Sequence, residues 1–135
     1  MYECFPQEDK VMSDNRQEQI EALQAMLEYN PRLLNAMKSV TAELLEDRQP
    51  DTDDYLLAVI KGMNWETEIL NGTKEVLDEQ EVALDRKMIN DVFLEFNEAY
   101  QQKDDITMGI LYRDKIIPFF ELYEQAARNV VEGNQ

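Results

Sequence analysis

The chain has 135 residues, 44% of them apolar, which is enough sequence for one domain and one core. Its 29 acidic residues against 13 basic ones leave a net charge of −16. That balance argues against binding nucleic acid or an anionic membrane surface, because both need Lys and Arg facing phosphate. Histidine is absent and Cys4 is the one cysteine, so Ser-His and Cys-His catalysis, thiolate zinc clusters and an internal disulfide are excluded.

The N-terminus, "MYECFPQEDK", has neither a basic start nor an apolar stretch, so it does not read as a secretory signal. With the lone cysteine this favours the cytoplasm. Residues 1–13 are expected to form a flexible tail, and 14–132 a helical bundle domain. Asp14 with Gln17 resembles a capping box. Ile20, Leu23 and Met26/Leu27 then recur at helical spacing up to Tyr29.

"NPRLL" predicts a restart, with Asn30 as N-cap and Pro31 at the first helical position. Leu33, Met37, Val40 and Leu44 mark one face of the second helix. The turn around Pro50 closes it, and Asp51 or Thr52 opens a third. Leu56, Met63, Leu70 and Leu77 stand seven apart and predict a long helix over 53–79. The alternative is a stop at Gly72, since Asn71-Gly72 usually signals a turn.

Asp85 is expected to cap a fourth helix carrying Ile89, Val92/Phe93, Phe96 and Tyr100. "QQKDD" ends it, and Asp105 caps a fifth that runs to Val131 with Gly133 just beyond. Pro118 interrupts that fifth helix, yet the apolar pattern continues through it, so a kink is expected rather than a stop. At 100° per residue Leu111 and Leu122 share a flank outside the main stripe. The expected fold is all-α: a single-domain antiparallel bundle of about five helices, the last kinked at Pro118.

Two acidic pairs, Glu18-x-x-Glu21 and Glu43-x-x-Glu46, fall on what read as consecutive helices. Each pair shares a helix face, and two facing pairs would hold Mg²⁺ and activate water. The pattern resembles that of the all-α nucleotide pyrophosphohydrolases, although the second pair ends in Glu where that family has Asp. The alternative function is therefore a Mg²⁺-dependent hydrolase using Glu18, Glu21, Glu43 and Glu46. The bland reading is a solvated acidic face. "DTDDYLLAVIKG" is rejected as a calcium loop because the required glycine and final glutamate are missing.

The leading expectation is a non-enzymatic protein without a cofactor, acting on a protein partner or on a second copy of itself. Trp65, the one tryptophan, is either a core anchor or an anchor in a binding patch. Ile117, Phe119, Phe120, Leu122 and Tyr123, around Pro118, form the other candidate partner-binding surface. "KGMNWETEILNGTKEVL" and "YRDKIIPFFELYEQA" resemble segments of small acidic helical bacterial proteins of unknown function. In size, helicity and acidity the chain is similar to helical flagellar and type III secretion chaperones. That resemblance implies a groove for a client's amphipathic helix, with the C-terminal helix as the expected wall.

Overall fold

The computed structural model describes residues 8–133, with side chains from 15 onward. Its elements are α1 (Glu8–Leu45), α2 (Thr52–Gly72), α3 (Lys74–Asp78), α4 (Arg86–Gln101), α5 (Asp105–Leu111), a π turn (Tyr112–Ile116) and α6 (Ile117–Gly133). The last three follow one another without a break, so the described residues form five helical units. The fold is all-α and single-domain, as expected, but the units are divided differently. The first two expected helices are one, and the expected long third helix is two.

The backbone is already helical at Glu8, so the Asp14–Gln17 position is not a helix start. Residues 1–7 of the expected tail lie outside the described residues. The helix also runs straight through Asn30-Pro31. Pro31 costs a hydrogen bond to the carbonyl of Leu27. The helix continues because its buried stripe is uninterrupted: Ile20, Leu23, Met26, Leu33, Leu34, Met37, Val40 and Leu44 all face the core. Asn30 fills the gap in that stripe and is completely buried. It is an inward-facing residue rather than the N-cap its neighbour suggested.

The reverse happens at Gly72. The helix stops there, Thr73 leaves helical geometry (φ −118°, ψ 22°), and the Thr73 hydroxyl donates to the Ile69 carbonyl at 2.6 Å. The break re-aims the following turn so that both Val76 and Leu77 enter the core. In an unbroken helix Leu77 would stay within about 20° of the Leu70 face, but Val76 would fall about 120° away from it.

Asp85 caps α4 as expected, accepting from the Met88 N–H at 2.9 Å. The end of α4 is a Schellman turn: Asp104 N–H donates to Ala99 and Lys103 N–H to Tyr100, at 2.9 and 3.1 Å. Lys103 takes the left-handed position at φ 57°, where glycine usually sits. The cap of α5 is Asp104, not Asp105: its carboxylate accepts from the Thr107 N–H at 3.1 Å. Asp105 instead takes a bidentate contact from Arg48 at 2.7 and 2.9 Å, tying the head of α5 to the end of α1.

The π turn supplies the account of Pro118. The Ile117 N–H donates back to the Tyr112 carbonyl, five residues earlier, immediately before the proline. The wide turn thus lies over the residues whose carbonyls the proline ring would otherwise crowd. An added residue in one turn also rotates everything downstream by roughly 100° relative to a plain helix. Leu111 and Leu122 therefore do not share a flank: Leu111 is buried, whereas Leu122 is 44% exposed.

Pairings along the chain set the topology. Thr52 meets Glu43 and Glu79 meets Arg16, so α2 runs antiparallel to α1. Asp105 meets Arg48 and Glu121 meets Lys38, so α5 through α6 also runs antiparallel to α1. Tyr112 stacks edge-on against Phe96 at 5.0 Å and donates its hydroxyl to Met63 Sδ at 3.2 Å, joining α4, the π turn and α2. The arrangement is up-down-up-down, with α3 closing one end. Among the described residues no helix is long and apolar enough to cross a membrane.

A tight approach brings α5 onto α1. A β-carbon added to Gly109 would stand 2.6 Å from Leu45 Cγ and Cδ2. Gly109→Ala should therefore lower stability by about 1–2 kcal/mol despite its better helix propensity. A urea titration reads this out; an unchanged or higher midpoint would mean that Leu45 yields freely.

Candidate functional site

The residues around Pro118 are used inside the bundle. Ile117, Phe119, Phe120 and Tyr123 are all buried, the last two at 1% and 0% exposure. Phe120 sits edge-on to both Phe119 and Tyr123, with ring centres 5.8 and 6.1 Å apart. These four are core residues, which corrects their reading as a partner surface. The apolar run looked like a surface because it is broad. It is broad because α6 packs against α1 and α3 while continuing the π turn, which rests on α1 and α4. Leu122 alone of that group faces solvent.

Trp65 is 41% exposed on α2, with its ring edge-on to Tyr29 at 5.6 Å. It forms part of a shallow cleft between α1 and α2, together with Glu18, Gln19, Glu68 and Thr73. It is neither a fully buried anchor nor a neighbour of the Pro118 segment.

The acidic pairs do not converge. Glu18 and Glu21 lie near the start of α1 and Glu43 and Glu46 at its end, on one continuous helix. At 1.5 Å per residue the nearest members, Glu21 and Glu43, are about 33 Å apart along the axis. Glu21 accepts from Gln17 at 3.2 Å, and Glu43 accepts from the Thr52 hydroxyl at 2.8 Å, where it braces the turn into α2. Among the described residues no group of three or more His, Cys, Asp or Glu is placed to hold a metal ion.

The surface that stands open lies elsewhere, between α2 and α4. A cleft of about 240 Å³ is walled by Leu57, Ile60 and Met63 on one side and by Phe93, Phe96 and Tyr100 on the other. Asn64, Thr67 and Asn97 add polar groups along it. Leu57 and Tyr100 are 42% and 37% exposed, so this is an apolar groove reachable from solvent. It stays open because α2 packs mainly on α1, and α4 on α5 and the π turn. The two helices thus present apolar faces to each other without closing. Asp53 and Asp54, in the first turn of α2, stand beside its Leu57 end.

The groove was partly visible in the sequence. α2 carries apolar residues on more than one face: Leu56, Val59, Met63 and Leu70 are buried, whereas Leu57 and Ile60 fall to the side. A stripe wider than one partner helix needs is the signal. Phe93 and Tyr100 gave none, since their spacing on α4 matched a core face.

A second unusual place is buried. Glu66 is fully buried on α2, as are Asn30 on α1 and Tyr123 on α6. With its amide turned so that nitrogen faces the carboxyl, Asn30 donates to Glu66 Oε1 at 2.7 Å and Oε2 at 3.2 Å. The Tyr123 hydroxyl donates to the Glu66 backbone carbonyl at 3.0 Å. Burial, reinforced by the nearby Glu124 carboxylate, pushes the Glu66 carboxyl up to about 8. Burial likewise raises the Tyr112 and Tyr123 hydroxyls well above the usual phenol range. Sequence reasoning missed Glu66, because one acid among 29 carries no mark of burial.

Residues 21–126 match a family model described as a domain of unknown function (DUF8042). No curated protein and no solved structure matches the chain.

Proposed function

The chain belongs to the DUF8042 family, whose description assigns no activity, and from its geometry we propose that it is a non-enzymatic protein-interaction module. It takes the apolar side of a partner's amphipathic helix into the groove between α2 and α4, in the manner of an adaptor or a small chaperone. The open apolar groove carries this reading. Leu57, Ile60, Phe93 and Tyr100 offer anchoring contacts for residues at helical spacing, and Asn64, Thr67 and Asn97 offer hydrogen bonds that set register.

Charge narrows the partner. With a net −16 on the chain, a helix carrying Lys and Arg around its apolar stripe associates faster and is favoured over an acidic one. The setting we infer is the cytoplasm, supported by the single cysteine. The hydrolase alternative has lost its basis in geometry, since its four glutamates lie at the two ends of α1.

The test is calorimetric titration with a Leu/Lys-patterned amphipathic peptide. Leu57→Asp places a charge on the groove wall at a position that is already partly exposed. It should weaken binding at least tenfold, a loss of about 1.4 kcal/mol or more, while leaving the melting temperature unchanged. Added salt should weaken binding further. If Leu57→Asp and wild type bind alike, the groove is not the site. If wild type instead self-associates and Leu57→Asp abolishes that, the occupant is a second copy.

A further inference from the structure

The Glu66 cluster is independent of the groove's role and points to a device of its own. Side chains from α1 and α6 act on the buried Glu66 carboxyl of α2, and one from α4 acts on its neighbour Tyr123. From α1, the Asn30 amide lies 2.7 and 3.2 Å from the two carboxyl oxygens; its N–H donates to the ionised form, and the reversed amide presents its oxygen to accept from the protonated one. From α6, Tyr123 holds the Glu66 backbone carbonyl, and Glu124 brings a second carboxylate close, itself paired with Arg128 at 2.7 Å. From the head of α4, Arg86 acts on Tyr123 while its guanidinium is held by Asp78 at 2.8 Å. The charge named as acting on the Glu66 carboxyl is that of Glu124, whereas Arg86 acts on Tyr123. The carboxyl is therefore buried against an amide and a like charge, with no cation to balance its ionised form.

We propose that Glu66 is a proton-held latch: protonated, it lets α2 close on α1 and α6, and on losing its proton it loosens α2 at that level while the rest of the bundle stays folded. The physical reason is that an unpaired carboxylate is expensive to bury and is repelled by Glu124. Opening α2 locally readmits water at less cost than unfolding the whole chain. The sign follows from the raised folded value. The ordinary value is 4.5 and the folded one about 8. The stabilising effect of the proton is therefore complete below pH 4.5 and is lost as pH rises through 8.

Trp65, the chain's one tryptophan, is the neighbour of Glu66 on α2 and reports on it directly. The experiment follows Trp65 emission and amide exchange between pH 6 and 9.5, with exchange corrected for its intrinsic pH dependence. In wild type both should change with a midpoint near 8. Exchange at residues 59–70 should rise at least tenfold, while the α1 residues 33–44 stay protected. Glu66→Gln should be flat over the range. Glu124→Gln, which alters a partly exposed position, should move the midpoint to lower pH by removing the like charge. Unaltered exchange at 59–70, an unmoved midpoint in Glu124→Gln, or a wild-type-like transition in Glu66→Gln would overturn the latch.

Discussion

Phe120→Asp should unfold the protein rather than dissolve an assembly. Phe120 is 1% exposed and lies between Phe119 and Tyr123 in the layer where α6 meets α1. Removing a buried phenyl ring costs about 3–5 kcal/mol through lost burial and the cavity left behind. The new carboxyl adds the cost of an unpaired charge in the same place. A domain of this size has only about 5–15 kcal/mol to lose. Circular dichroism should show the helical signal lost or its melting temperature collapsed. Leu122→Asp, two residues on and 44% exposed, should leave the melt nearly unchanged. If Phe120→Asp stays folded and only changes the oligomeric state, this region is a surface after all.

Asn30→Leu should cost about 3 kcal/mol, and the loss should be largely recovered by a second change. Leucine has nearly the shape of asparagine but takes away the amide that donates to Glu66 at 2.7 and 3.2 Å. A buried polar group left unpaired costs about 1–3 kcal/mol, and more when it is charged. Replacing both partners is different, because apolar groups of matching shape have no unmet hydrogen bond. Asn30→Leu with Glu66→Met should therefore be more stable than Asn30→Leu alone. Denaturant midpoints at pH 7 for the two single variants and the double one give the coupling energy. If the two losses simply add, Asn30 and Glu66 are not acting as a pair.

These two positions also show what the sequence discloses and what it withholds. Apolar spacing gave the all-α class, the Asp85 cap and most of the buried stripe, because burial follows helical periodicity closely. Local punctuation was less dependable. Asn30-Pro31 looked like a helix start, but the stripe on either side keeps one register, and packing outweighs the cost of one proline. Gly72 ended a helix whose seven-residue seam continued, because nothing packs against it and Thr73 caps the end. The two misreadings offset each other in the number of helices. The candidate site was harder still. Phe120 and Tyr100 are both aromatic and both in phase with a core face, yet one is buried and the other lines an open groove. The difference lies in whether a neighbouring helix closes over them, which spacing within one helix does not record. The π turn adds to this, since Pro118 marks an irregularity there but not the change of phase between α5 and α6 that the turn brings.

The groove is tested most directly by chemical-shift mapping with the methyl groups of Leu57, Ile60 and Met63 and the rings of Phe93 and Tyr100 as probes. Titrating a lysine-rich amphipathic helical peptide should shift these five residues together and saturably, with no such response in Leu57→Asp. Shifts centred on Leu122 or Trp65, or spread thinly over the acidic surface, would contradict the account.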